Sequence, residues 1–337
     1  MTVRFPAARQ IGTSHATICD LRRYITSSAA IFAGSFPTLA TIGPSMKPSE
    51  EKLDEMEDLP EATEERLHEE GTPLSIDDLE NVRSRLRLRS AIVYEIIRED
   101  GEEELEREGI NLWWSGLAAG LSIGFSVVAE GLLRAYLPDE PWRPLVDNLG
   151  YSVGFLIVIL ARQQLFTENT LTAVLPLVAT RSWKNFWSLL RMWTIVFTAN
   201  MAGTLLFALA LSSNLFFEPE PQAAFREIAE HLLALDPTQT FLRGIVAGWI
   251  IATLVWLLPS AENNSVVIIV LMTYLIALGE LAHVIAGSVE AFMLAFDGSA
   301  SWNQAVFGFL VPALAGNIIG GSALFGLIAY AQVQEEI

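Results

Sequence analysis

The sequence predicts an all-α membrane protein with six transmembrane helices arranged as two inverted three-helix repeats. Three observations predict it. The 337 residues divide into a polar first third and an apolar remainder. That remainder breaks into runs near the ~20 residues that cross a bilayer. The middle run of each half carries a polar interruption, at residues 162–169 and at 279–283.

The division is visible in the charges. Residues 1–109 hold 23 acidic and 13 basic side chains, whereas 110–337 hold 16 and 8. Mean hydropathy is +0.39 and 52% of residues are hydrophobic. The net charge of −18 argues against nucleic-acid binding, which needs a basic face. Cys19 is the only cysteine, so one chain can form neither a disulfide nor a cysteine metal site. Of the four histidines, only His283 falls in a long apolar run. No cofactor is expected.

Residues 1–72 are read as a disordered leader followed by an acidic segment. The weakly apolar stretch 25–39 imitates a signal peptide, but Thr26, Ser27, Ser28 and Pro37 interrupt it. Residues 1–45 read as a leader or as an extension ahead of a start near Met46. Residues 46–72 have too few apolar side chains to pack. Residues 73–109 are expected to form a cytoplasmic amphipathic helix, with a capping-box pattern at Ser75 and Asp78. Arg83, Arg85, Arg87 and Arg89 give it a basic face, suited to anionic lipid or simply to water.

Residues 110–335 are expected to form one six-span transmembrane domain. The first span covers 112–137 and opens on Trp113 and Trp114, interfacial anchors. The second runs from 146 to 165, breaks, and resumes to 179. The third covers 186–211. A short amphipathic helix at 223–235 precedes the fourth span, 241–258. The fifth begins near Val266, is interrupted at Gly279, Glu280 and His283, and ends near Phe296. The sixth covers 305–331. Arg181, Lys184 and Arg191 follow the second span, so positive-inside counting places that loop and both termini in the cytoplasm.

Each half ends in a small-Asn-small cluster, around Asn200 and around Asn317. Two three-span halves must insert upside down relative to each other. Inverted repeats with paired broken helices are a transport architecture, with the site near the midplane. Non-helical backbone at membrane depth survives only where protein buries it or water reaches it. An ionisable group within a span is therefore a functional hypothesis. Glu130, Arg162, Glu168, Glu280 and His283 qualify. Glu130 and Arg134 stand at i,i+4 and are expected to pair. Arg162 is expected to partner Glu168 or Glu280. His283, read as the repeat counterpart of Thr167, is expected in the pore.

Three places resemble the formate/nitrite transporter family in order and spacing. They are Leu165-Phe166-Thr167-Glu168-Asn169, His283-Val284-Ile285-Ala286, and Gly316-Asn317-Ile318-Ile319-Gly320-Gly321. Arg243-Gly244-Ile245 agrees as well, and the run 161–169 is most similar to the YfdC-like branch. The resemblance implies an aquaporin-like fold in an inner membrane, assembled as a homopentamer with one pore per protomer. It implies passage of small monovalent anions such as formate or nitrite, or of their neutral acids, and no enzyme activity. Its pore residues would be His283 and Thr167, with Leu165, Phe166, Glu168, Asn169, Arg162, Glu280, Asn200 and Asn317 around them. Tyr151, Phe155 and Ile276 would form the constriction. The chemistry is coherent. A bare anion pays a large desolvation cost in hydrocarbon. An imidazole, with an unperturbed pKa of about 6.5, can share a proton with it.

The chain departs from the family pattern in places. The family's vestibule lysine falls near Leu232, beside His231, and no lysine follows Lys184. Glu168 replaces a small or neutral residue. Two family asparagines fall at Gly248 and Gly287. Other readings therefore stay open: a pore for small neutral solutes, a membrane enzyme using Glu168, Glu280 and His283, or a signalling role for the acidic N-terminal region.

Overall fold

The computed structural model describes residues 88–213 and 215–336. These lie within one compact unit, 82–337; the other unit, 1–81, falls outside the described residues. The expected leader, acidic segment, Ser75 cap and Arg83, Arg85 and Arg87 face likewise fall outside the described residues.

Helix α1, Ser90–Glu106, is the described part of the expected amphipathic helix. It stops at Arg107 and Glu108, where the backbone becomes extended, so it is not continuous to 109. Val93, Tyr94 and Ile97 pack on Leu171, Leu175, Ala252 and Val333. On its polar face Arg98 binds Glu95 and Glu102 one turn to either side. The Arg98 guanidinium holds the Glu95 carboxyl below the usual carboxylate range.

Among the described residues four helices are long and apolar enough to cross a bilayer: α2 (Gly109–Tyr136), α7 (Trp183–Ser212), α9 (Pro237–Leu257) and α12 (Gln304–Val333). Two further segments cross in pieces. One consists of α3 (Pro144–Asp147) and α4 (Ser152–Leu160), then α5 (Asn169–Thr172) and α6 (Leu175–Thr180). The other consists of α10 (Ser265–Leu278) and α11 (Val284–Asp297). Helix α8, Pro219–Leu233, lies between the halves and packs on α2 and α11. Asp236 and Gln239 form a capping box that starts α9. The six spans and both breaks fall where the apolar runs placed them.

The repeat is physical. In the first half α2 packs along α7; in the second α9 packs along α12. Both contacts depend on missing side chains. A Cβ on Gly203 would lie 2.5 Å from the Leu117 carbonyl oxygen, and one on Gly320 would lie 2.0 Å from that of Ile245. Without a hydrophobic drive between helices in lipid, such close backbone approach supplies the packing. Helix α12 widens into π-helical turns at Gln304–Leu310 and Ile319–Gly326, the second around Gly320 and Gly321.

Candidate functional site

The two breaks have the same backbone. Helix α4 ends at Ala161 and Arg162 turns left-handed, φ 51°; α10 ends at Gly279 and Glu280 turns left-handed, φ 48°. Neither is glycine, so each turn is strained. The hydrogen bonds match one for one. Arg162 N–H bonds to Ile159 O and Gln163 N–H to Val158 O; Glu280 N–H bonds to Ala277 O and Leu281 N–H to Ile276 O.

One asparagine holds each break. Asn200 Oδ1 accepts from Phe166 N–H at 2.9 Å, and its Nδ2 donates to Gly116 O and Gln164 O. Asn317 Oδ1 accepts from Val284 N–H at 2.8 Å, and its Nδ2 donates to Gly244 O and Ala282 O. Both asparagines are fully buried. Backbone that has left the helix inside a membrane must find partners in protein, and an amide side chain offers both an acceptor and donors. These asparagines therefore position the pore segments. The register also corrects an expectation. Between the clamped groups stand Leu165 in one break and His283 in the other, so the repeat counterpart of His283 is Leu165 and not Thr167.

Thr167 and His283 nonetheless meet, because the two breaks face each other. Thr167 Oγ1 lies 2.7 Å from His283 Nε2. His283 also caps α11: its Nδ1 accepts from Ala286 N–H at 3.1 Å. Nδ1 is thus the acceptor, and the ring hydrogen sits on Nε2, pointed at Thr167. The threonine hydroxyl hydrogen is committed to no other acceptor among the described residues.

Above this pair lies a cavity of about 350 Å³ whose walls include His283, Tyr151, Ile276 and Gly287. The Phe155 ring meets the His283 ring edge-on at 5.0 Å, and Tyr151 stacks beyond it at 5.2 Å. Ile276 is buried beside them. His231, beside the position of the family's lysine, does not take its place as a free cation. Its Nε2 lies 3.1 Å from Glu280, which also binds Arg243 at 2.8 Å. At Gly248 and Gly287, a Cβ would meet Asn317 O at 2.4 Å and Phe309 at 2.3 Å. The family's asparagines would not fit there.

Several expected site residues have other work. Phe166 packs edge-on against Trp193 and Phe197. Leu165 is buried in the core. Asn169 donates to the Gln164 side chain, and its carbonyl accepts from Trp193. Arg162 is exposed and forms no ion pair among the described residues, so it partners neither Glu168 nor Glu280. Glu168 keeps one oxygen buried without a partner, and the charge acting on it is another carboxylate, Glu104. Arg134 does not pair with Glu130; it binds the buried Asp147 at 3.0 Å and Glu227 at 3.3 Å. Two other helices, α3 and α8, bring those carboxylates in, which i,i+4 spacing could not foresee. Glu290 escaped notice in the sequence, although it is an ionisable group inside the fifth span and lines the same cavity.

Inverted repeats, two clamped breaks and a threonine–histidine contact under a cavity define a helical membrane channel or transporter. The family model described as "Formate/nitrite transporter" matches residues 91–331, and the chain belongs to that family. Inner membrane protein YfdC of Escherichia coli is 42% identical over 85% of this chain and 91% of its own. Formate channel FocA of Haemophilus influenzae is 23% identical over 63% of this chain and 83% of its own. A solved pentameric formate channel with formate bound superposes with a TM-score of 0.58 at 23% identity, covering 67% of this chain and 98% of its own. A second solved structure, a channel of the same family, gives 0.55 at 20% identity, over 72% and 96%. The fold is therefore the aquaporin-like one, and the chain is an integral membrane protein.

Proposed function

We propose that this chain is a channel for small monovalent weak-acid species, formate or nitrite in size, filtered by Thr167 and His283. The observation that carries the reading is the hydrogen bond between them, made across two opposed helix breaks at the foot of a cavity. With His283 Nε2–H held by the Thr167 oxygen, the pair presents one free hydrogen, that of the Thr167 hydroxyl, where an anion or acid must pass the Phe155 ring. An anion there exchanges lost hydration for that fixed donor, whose oxygen the imidazole N–H polarises. The relatives' names support the reading, since they include formate channels and a nitrite transporter. They support a channel over an enzyme in the same way.

By the same analogy the chain assembles as a homopentamer in an inner membrane, each protomer holding its own pore. Both termini are cytoplasmic, as the Arg181 and Lys184 loop implies. Residues 1–72, 73–109 and 110–335 act as leader, cytoplasmic helix and channel. A second reading, a pore for small neutral solutes, draws support from Glu168, whose buried oxygen has no cation beside it.

Purified chain in liposomes should accelerate formate- or nitrite-driven swelling, and His283→Asn should change that flux. Indifference to every weak acid tested, with glycerol flux instead, would sink the anion reading.

A further inference from the structure

The two breaks match in backbone but not in charge. Arg162 and Glu280 hold the same position, each in a left-handed turn that glycine alone adopts without strain. Strain kept at a non-glycine residue points to a use for its side chain. Glu280 has partners, Arg243 at 2.8 Å and His231 at 3.1 Å. Arg162 is exposed and has none among the described residues.

The repeat explains the difference. Asn200 donates to Gly116 O and Asn317 to Gly244 O, so Gly116 and Gly244 correspond. The residues before them, Ser115 and Arg243, then correspond as well. Arg243 reaches the Glu280 carbonyl and carboxylate. Ser115 accepts the Gln164 N–H instead and brings Arg162 no counter-charge. The nearby carboxylates do not supply one either. Glu104 pairs with Arg107 at 2.9 Å, and the charge acting on Glu168 is that of Glu104.

The two residues stand on opposite sides of the filter. Glu280 lines the cavity. Tyr151 lines it too, and from there α4 runs past Phe155, which meets His283, and ends just before Arg162. Beyond Arg162 the chain leads through α5 and α6 to Arg181. An unpaired guanidinium on a broken span is not left in lipid; it needs water or an anion. Its planar fork of donors fits a carboxylate or nitrite through two parallel hydrogen bonds.

We propose that Arg162 is an anion-capturing residue: at the mouth opposite the cavity it binds a small carboxylate or oxoanion and delivers it to Thr167. The inference rests on the channel reading above and names the side on which the anion is gathered.

Cys19 is the only cysteine, so a charge at position 162 can be removed and put back. The test uses the full chain in liposomes, with formate flux measured at low and high ionic strength. Arg162→Gly suits the left-handed turn, so the variant should fold. It should cut formate flux about tenfold at low salt, the scale of electrostatic steering, and the gap should close as salt screens the guanidinium. In Arg162→Cys combined with Cys19→Ser, a thiol reagent carrying an ammonium group should restore flux, and one carrying a sulfonate should lower it further. A merely structural arginine would not follow the sign of the attached charge. Arg162→Gly flux equal to wild type at low salt overturns the proposal. So does a cysteine variant whose flux ignores the sign of the reagent, the result expected if a neighbouring protomer covers position 162. If the cysteine variant misfolds, the glycine arm decides. Formate flux that is indifferent to the charge at 162 overturns this inference alone, whereas no weak-acid flux overturns the channel reading and this inference with it.

Discussion

Asn200 and Asn317 are related by the repeat and make the same three hydrogen bonds. Each accepts one backbone N–H and donates to two carbonyls, one within its break and one on the first helix of its half. Two pieces of unwound backbone are thereby fixed at membrane depth, and Thr167 meets His283 as a result.

Asn200→Ala and Asn317→Ala should therefore behave alike. Each strands three buried backbone groups, where one such group costs about 1–3 kcal/mol. Interhelical bonds in membranes run weaker, about 0.6 kcal/mol on average, so a net loss of about 2 kcal/mol is expected for each variant. That is a fall of about 4–8 °C in the melting of detergent-solubilised protein. A clear loss in only one of the two would show that the clamps are not equivalent.

Thr167→Val keeps the shape and removes the acceptor for His283 Nε2–H. A hydrogen bond worth about 1.4 kcal/mol at the filter corresponds to about tenfold in flux. Thr167→Ser should stay near wild type. Equal fluxes in the valine and serine variants would remove the threonine hydroxyl from the filter.

Glu168→Ser replaces a half-buried carboxylate that has no cation beside it. Anion flux through liposomes should rise. Slower or unchanged flux would mean that Glu168 is not an electrostatic barrier.

Arg134→Met leaves the buried Asp147 carboxylate without its cation. Breaking a buried pair from one side costs about 3–5 kcal/mol. The melting temperature should drop, and adding Asp147→Asn should recover part of the loss. A variant as stable as wild type would show that water already screens the pair.

The spans and breaks were legible because hydrophobic length and polar interruption are local properties. A run near Val266 or Phe186 is apolar whatever it packs against, and a segment such as Arg162-Gln163-Gln164 cannot face lipid. The partners of charged side chains were not legible. Arg134 had Glu130 at helical spacing but found Asp147 and Glu227, 13 and 93 residues away. Spacing reports neighbours on one helix and says nothing of what a loop or another helix brings to it. Glu290 carried a local signal that went unread: it is the one carboxylate in the apolar run 284–296, where an ionisable group is itself the pointer.

The sequence by itself determined the class of protein, the order of its spans, the two interruptions and the residues Thr167, His283, Asn200 and Asn317, since each is a matter of residue type and spacing. Only the tertiary structure decided that Asn200 and Asn317 are clamps, that Leu165 is the counterpart of His283, and that Glu130 and Glu290 share one cavity. Those facts depend on which backbone groups are left unpaired when two inverted halves close on each other. That is settled by contacts 30 to 160 residues apart in the chain.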